Sequence, residues 1–193
     1  DYVHSLTPKS GLITIDADTA ANSGTLEAAL RAAGGAVHAT EMVVNGETDN
    51  AFCSVRPPGH HATRDQVMGF CFFNNVAVGA AHAMEAFGLK RIAIIDFDVH
   101  HGNGTEDIFR DDERVMFCST YQTGIFPMVT PYERPGRFIT VGLPAGSGST
   151  EFREAVEEQW KPALDSFAPE MLFVSAGFDA HTTDTIAELD FVD

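Results

Sequence analysis

Two segments of this sequence place aspartate and histidine directly after an apolar run. One reads DFDVHHGNG from Asp96 and the other reads SAGFDAH from Ser175. Asp98 and His100 are two residues apart, so in an extended segment they would point to the same side, and Asp179 can join them from the second segment. Three nitrogen and oxygen ligands leave a fourth position for water, which is the arrangement of a catalytic zinc site. With no thiolate in the set, other divalent metals, Fe(II) included, are also compatible.

Adjacent histidines follow a rigid turn in the segment RPPGHHA, where His60 and His61 stand. Such a pair could lie on the surface, but beside a metal it would supply acid–base chemistry. Hydrolysis of an amide by water needs one group to accept a proton and another to protonate the leaving amine. A carboxylate partner raises the basicity of an imidazole and an amide partner does not. Asp96 and Asn103 are candidate partners of these two kinds.

A third segment, GFCFFNN, carries an aromatic cluster. We expect Phe72 and Phe73 in the core, whereas Gly69 and Phe70 could form one wall of a narrow apolar slot. Phe126, in a loop rich in glycine and proline, could form the opposite wall. Two facing rings would suit a methylene chain such as that of lysine.

The elements that must position these residues alternate along the chain. Four largely apolar runs predict strands, at residues 91–96, 115–118, 138–141 and 171–175. The helical spacing predicts helices at 26–33 with a stop at Gly34–Gly35, at 76–87 with a cap at Gly88, at 105–109, and at 152–160 with a disturbance at Pro162. Apolar strands between helices indicate a doubly wound parallel α/β sheet, in which ligands gather beyond the carboxyl ends of the strands.

Composition narrows the class of protein. The length of 193 residues fits one domain, and the net charge of −16 argues against nucleic acid as a partner. The apolar runs are too short for a membrane span, so no membrane partner is expected. Cys53, Cys71 and Cys118 are odd in number and lack a C-x-x-C spacing, which predicts buried, reduced thiols. No signal peptide is visible, and we therefore expect a cytoplasmic protein.

Taken together, RPPGHHA, GFCFFNN, DFDVHHGNGTEDIF and SAGFDAH resemble the histone deacetylase superfamily, in particular bacterial class II-type deacetylases and amidohydrolases. The similarity runs in order from about Ile15 to His181. It implies an arginase/deacetylase-like three-layer α/β fold with a central, mainly parallel sheet. It also implies zinc-dependent hydrolysis of an acylated amine, either acetyl-lysine in proteins or an acetylated small amine of the polyamine type, with release of acetate.

The same resemblance implies a role for each candidate residue. Zinc would bind Asp98, His100 and Asp179. His60 would pair with Asp96 and His61 would face Asn103, with one histidine as the general base and His61 as the acid.

Further contacts follow from the resemblance. Phe70 and Phe126 would line an acyl-lysine tunnel, with the backbone of Gly69 near the substrate amide. A structural potassium ion would lie at Asp96, Asp98, His100, Ser119 and Thr120.

Two departures from the family pattern stand out. Relatives continue past SAGFDAH to a Gly-Gly-Tyr turn whose tyrosine donates a hydrogen bond to the developing oxyanion, and Tyr2, Tyr121 and Tyr132 lie in no such motif. The N-terminal strand and helices of relatives also have no counterpart. We therefore expect residues 1–193 to be a single, partial catalytic domain, incomplete at both ends. Its exposed sheet edges would allow association into a homo-oligomer.

Two alternatives have a different function. A catalytically silent acyl-lysine-binding or metal-binding fragment is compatible with the missing oxyanion tyrosine, although the complete ligand set and both histidines favour an enzyme. An arginase-like hydrolase with two manganese ions would need a second aspartate two residues past His100, where Gly102 stands.

Overall fold

The computed structural model describes residues 2–192, which divide into a unit that ends at Leu89 and a unit that begins at Lys90. The N-terminal unit contains three helices, α1 (Tyr2–Ser5), α2 (Thr25–Val44) and α3 (Asn75–Phe87), and an antiparallel hairpin of β1 (Leu12–Thr14) and β2 (Ala20–Asn22). Helices α2 and α3 pack against each other.

Helix α2 is longer than the sequence predicts. We expected a stop at Gly34–Gly35, but the helix continues through both glycines to Val44. Each glycine costs a helix about 1 kcal/mol relative to alanine. The buried side chains Ala29, Ala33 and Thr40 lie on both sides of the pair, so packing of this helix outweighs the local cost.

Helix α3 confirms the prediction for residues 76–87. Asn74 caps its start by accepting a hydrogen bond from the backbone N–H of Ala77 at 3.1 Å. Gly88 ends it in the left-handed conformation, with φ 73°. Phe72, which precedes the helix, is buried in the core and Phe73 packs against that core, as expected.

The C-terminal unit confirms the parallel α/β prediction. Its strands are β3 (Ile92–Asp96), β4 (Val115–Gln122), β5 (Phe138–Leu143) and β6 (Met171–Ser175), and its helices are α4 (Asn103–Phe109), α5 (Ser149–Ala155) and α6 (Lys161–Phe167). All pairings are parallel, and the strand order is β5-β4-β3-β6. Trp160, Phe152 and Phe167 pack on Ala93 and Met116 of the sheet.

A π-helical turn, Val156–Trp160, joins α5 to α6 and accounts for the disturbance predicted at Pro162. Pro162 is the second residue of α6 and has no N–H to donate to a carbonyl one turn earlier. The preceding turn widens instead of breaking, and Trp160 at its end stays buried.

The strands change from apolar to polar at one common row. In that row Asp96 of β3 lies opposite Ser119 of β4 and Ser175 of β6, and Ser119 lies opposite Thr140 of β5. The two rows before it contain only apolar residues and Cys118. Polar side chains therefore begin together at the carboxyl end of the sheet, where the DFDVHHGNG and SAGFDAH segments leave it.

Strand β6 forms one edge of this sheet. Leu172 and Val174 are 49% and 45% exposed, whereas Ile92 and Ile94 in the neighbouring β3 are fully buried.

The cysteines only partly match the prediction of buried thiols. Cys71 and Cys118 are buried and reduced, and burial raises the pKa of Cys118 to about 12. Cys53 is also reduced but exposed, as are all residues from 51 to 55, which form no helix or strand.

Candidate metal centre

Three side chains of the C-terminal unit meet at the end of the sheet. Nδ1 of His100 lies 3.0 Å from Oδ1 of Asp98 and 3.2 Å from Oδ2 of Asp179. One potential ligand atom from each residue lies within 4.8 Å of the other two. Zinc bonds of about 2.1 Å in a tetrahedral site place ligand atoms about 3.4 Å apart, which is close to these separations. The donor set therefore fits a divalent metal, and the side chains remain 15–20% exposed, so that a further ligand can enter.

The local backbone brings these residues together in a way that differs from the sequence argument. We expected Asp98 and His100 on one side of an extended segment, but β3 ends at Asp96 and the chain bends through residues 98–100. The backbone N–H of His100 donates to Oδ1 of Asp98 at 2.9 Å, and that of Val99 donates to Oδ1 of Asp179 at 2.9 Å. The bend is thus held by the carboxylates themselves, and it leaves the second oxygen of Asp179 for His100.

The two carboxylates control the charge of His100. Burial lowers the pKa of its imidazole, but the hydrogen bonds to Asp179 and Asp98, together with their negative charges, outweigh burial and raise the pKa to about 9. A positive group is therefore favoured between these carboxylates, whether it is the imidazolium ion or a metal ion bound to the neutral ring.

Two glycines allow the close packing of this centre. A Cβ atom on Gly177 would lie 2.2 Å from Oδ2 of Asp98, and one on Gly102 would lie 2.2 Å from Oδ2 of Asp96. Any side chain at these positions would displace a carboxylate. Both glycines belong to the quoted motifs, but the sequence argument gave them no role.

Other predicted residues of the C-terminal unit lie in β3, β4 and α4 or in the loop after β4. Asp96 is fully buried at the end of β3, and Asn103, also buried, is the first residue of α4. Ser119 and Thr120 of β4 are buried, and Ser119 lies in the same row of the sheet as Asp96. The ring of Phe126 contacts that of His100 edge-on, with centroids 6.2 Å apart.

The remaining predicted residues lie in the N-terminal unit. His60 and His61 are both buried, with ring centroids 4.0 Å apart. Gly69 is buried, and Phe70 is 51% exposed with φ 65°. Thr19 accepts a hydrogen bond from the backbone N–H of Phe70 at 3.1 Å. The pairing of the histidines with Asp96 and Asn103 stays a prediction.

One buried polar pair was missed by the sequence argument. His101, next to His100, is 2% exposed, and its Nε2 lies 3.0 Å from Oε2 of Glu106 in α4. The spacing of five residues between them matches no common helix or strand pattern.

Comparison with known proteins assigns the family. The family model for the histone deacetylase domain matches residues 2–192, and so extends over both units. The chain belongs to the histone deacetylase family. A crystal structure of a family member, the HDA15 HD domain, superposes with a TM-score of 0.86 at 34% identity, covering 94% of this chain and 55% of that one. The fold is therefore that of the arginase/deacetylase type, as predicted.

Several relatives are identical to this chain at about two fifths of the aligned positions. Histone deacetylase 14, chloroplastic, of Arabidopsis thaliana is 42% identical over 94% of this chain and 46% of its own length. A histone deacetylase-like amidohydrolase of Pseudomonas aeruginosa is 39% identical over 89% of this chain and 47% of its own length. The chain thus spans about half the length of these histone deacetylase relatives, which come from a plant as well as a bacterium.

Among the residues that the structure describes, none of the helices combines the length and hydrophobicity needed to cross a bilayer.

Proposed function

We propose that residues 1–193 form a single, partial deacetylase catalytic domain that contains the metal-binding residues and hydrolyses the amide bond of an acylated amine, releasing acetate. The substrate is acetyl-lysine in a protein or an acetylated small amine. The observation that carries this proposal is the convergence of Asp98, His100 and Asp179 in a member of the histone deacetylase family.

Zinc is the metal that we assign to these three residues. Three nitrogen and oxygen ligands with a remaining open position are typical of catalytic zinc. When bound, zinc polarises a carbonyl oxygen and lowers the pKa of water. The chain's own contribution is to hold the ligands. The backbone N–H groups of Val99 and His100 fix the two carboxylates, which in turn orient the ring of His100.

His60 and His61 are assigned to the proton transfers. One histidine accepts a proton from water as the base, and His61 gives a proton to the leaving amine as the acid. Their different partners, the carboxylate of Asp96 and the amide of Asn103, would separate the two pKa values. Burial of both rings supports this assignment, because buried imidazoles are sensitive to such neighbours.

Phe70 and Phe126 are assigned to the substrate stem, and the backbone of Gly69 to the substrate amide. The contact between Phe126 and His100 supports the assignment, since it puts an aromatic wall beside the metal ligands. The exposed ring of Phe70 supports it as well, because a core phenylalanine would be covered.

A structural potassium ion is the second metal that we assign, at Asp96, Asp98, His100, Ser119 and Thr120. The hydroxyl oxygen of Ser119 is buried and has no hydrogen-bond partner among the described residues. A buried oxygen that makes no hydrogen bond is available as a ligand for a hard cation such as potassium. The buried carboxylate of Asp96 lies in the same row of the sheet and would supply negative charge.

The test is release of acetate from an acetyl-lysine peptide and from an acetylated polyamine by the zinc-loaded chain, with and without a chelator. We expect turnover that the chelator abolishes. Asp179→Ala should lose zinc and turnover, and His61→Ala should keep zinc and lose turnover. Asp111→Ala, an exposed aspartate, is the control and should change neither.

The outcomes separate the proposal from its alternative. Normal zinc content in Asp179→Ala would contradict the ligand assignment, and an unchanged rate in His61→Ala would contradict the acid–base assignment. A wild-type chain that holds zinc and binds the peptide without cleaving it would be the silent fragment that lacks the oxyanion tyrosine.

A further inference from the structure

The buried pair His101–Glu106 lies directly beside the metal ligands and makes no contribution to the chemistry assigned above. Nε2 of His101 donates to Oε2 of Glu106 at 3.0 Å, and both residues are buried. His101 follows the ligand His100, and Glu106 is in the first turn of α4, which begins at Asn103. The pair therefore links the end of the ligand segment to the helix that follows it.

Among residues 2–192, one polar contact, with Glu106, holds the ring of His101. Its other nitrogen, Nδ1, is buried and has no hydrogen-bond partner in the described part of the chain. The remaining contacts are aromatic, with the rings of Tyr121 at 5.1 Å and Phe117 at 6.1 Å between centroids. Removal of the Glu106 carboxylate would leave the ring with packing alone to set its orientation.

The backbone around the pair leaves little room for adjustment. The backbone N–H of Asn103 donates to the carbonyl of His101 at 2.9 Å, and that of Glu106 donates to the carbonyl of Gly102 at 3.1 Å. Between them, Gly102 approaches the carboxylate of Asp96 so closely that a Cβ would lie 2.2 Å away. A shift of His101 would therefore move Gly102 and His100, its two neighbours in the chain.

Stability alone does not explain a polar pair at this place. Replacing a buried ionisable pair by apolar residues of similar size is often neutral or stabilising, whereas removing one partner is costly. The charge of Glu106 also acts on its surroundings. Burial raises the pKa of the Tyr121 phenol, and the negative charge of Glu106 raises it further. Burying the His101–Glu106 pair is costly, and it leaves Nδ1 of His101 without a hydrogen bond among the described residues. The backbone geometry that the pair fixes explains its presence better than stability does.

We propose that Glu106, through its hydrogen bond to His101, is a positioning residue that sets the backbone of His100 for metal binding. This inference rests on the proposed function, since it presumes that Asp98, His100 and Asp179 bind zinc. It assigns to the pair a role in the affinity and geometry of the metal site and none in proton transfer.

The test compares Glu106→Ala with Glu106→Gln, because the amide oxygen of glutamine can still accept from Nε2–H of His101. The measurements are zinc affinity, by competition with a chromophoric chelator, and the visible spectrum of the Co²⁺-loaded chain. For Glu106→Ala we expect zinc affinity to fall at least about tenfold, as for other residues that orient ligands, with altered cobalt bands. For Glu106→Gln we expect affinity within about threefold of wild type, because the hydrogen bond is kept.

The chain offers a matched control. His82 and Glu41, which join α3 to α2, form a histidine–glutamate contact of the same length, 3.0 Å, outside the metal centre. Glu41→Ala removes that contact and should leave zinc affinity and the cobalt spectrum unchanged. Loss of affinity in Glu41→Ala equal to that in Glu106→Ala would overturn the proposal, because any lost histidine–glutamate contact would then have the same effect.

The remaining outcomes are also decisive. Wild-type affinity and an unaltered cobalt spectrum in Glu106→Ala would overturn the positioning role, and so would equal losses in the alanine and glutamine variants. If Glu106→Ala does not fold, the double variant His101→Phe/Glu106→Leu replaces it, because apolar side chains then fill the space of the buried pair. This variant must show the loss of zinc affinity expected for Glu106→Ala. Failure of the proposed function gives a different result, namely a wild-type chain whose zinc affinity does not depend on Asp179.

Discussion

At the scale of single residues, the candidate metal centre depends on the position of one imidazole nitrogen, Nδ1 of His100. Nδ1 of His100 donates to the carboxylates of Asp98 and Asp179, and the same three residues supply the candidate metal ligands. A proton and a metal ion therefore compete for one position. Because the pKa of His100 is raised to about 9, the proton occupies that position at neutral pH.

Zinc binding should accordingly release a proton from His100. Between pH 6 and 8 the logarithm of the apparent zinc affinity should rise by about one per pH unit, and it should level off as pH passes the raised pKa. Calorimetric titrations in buffers of different ionisation enthalpy measure the number of protons released. His38→Gln, at an exposed position, should leave that number unchanged. Binding without proton release would mean that Nδ1 of His100 is not a ligand.

Gly177 gives a second prediction at this scale. Gly177→Ala would place a Cβ 2.2 Å from Oδ2 of Asp98 and 2.6 Å from its Cα, so the ligand must move. We expect zinc affinity to fall by at least about tenfold, measured by chelator competition. Gly34→Ala is the control, since no atom lies within 4 Å of the added carbon. Unaltered affinity in Gly177→Ala would show that the Asp98 carboxylate is not needed in its present place.

At the scale of elements, the sequence predicts what depends on local pattern. The strands β3 and β6 and the helix α3 were predicted nearly to the residue, because apolar runs, helical spacing and the cap at Gly88 are local signals. The continuation of α2 through Gly34–Gly35 was not predicted, because it depends on packing against α3. The candidate metal ligands stand in recognisable motifs, but the His101–Glu106 contact and the bend at Asp98 depend on contacts made only in the folded chain.

The glycines of α2 provide a prediction about stability. Gly34 is exposed within the helix, so Gly34→Ala should raise the free energy of unfolding by roughly 0.5–1 kcal/mol, measured by denaturant titration. Gly88→Ala should lower it by about 1 kcal/mol, because Gly88 has φ 73° at the end of α3. A destabilised Gly34→Ala variant would mean that the missing side chain at residue 34 is itself required.

At the scale of the whole molecule, two properties act against each other. A net charge of −16 keeps copies apart, and the edge of β6 with its exposed Leu172 and Val174 favours their association. Added salt weakens the repulsion between charged copies, because at 0.5 M charges are screened from each other beyond a few ångströms. It does not weaken the apolar attraction at the β6 edge.

We therefore expect association of the chain to increase with salt concentration, as measured by sedimentation velocity. Val174→Lys puts a charge on the edge of β6 and should suppress the salt-induced association. Val78→Lys is the matched control, because Val78 is also exposed but lies on α3. Equal association of the Val174→Lys variant and the wild type would rule out the β6 edge as the contact.

The polar row across the four strands has a consequence for how the sheet is assembled. Parallel strands have no hairpin turn to set their alignment, and a slip of two residues keeps every side chain on its original face. Such a slip of β3 would bring Asp96 level with Phe117 and Phe173, two residues before Ser119 and Ser175. A carboxylate placed beside the buried ring of Phe117 without a partner is strongly unfavourable. The aspartate assigned to chemistry in the finished protein therefore also selects the correct strand alignment while the protein folds.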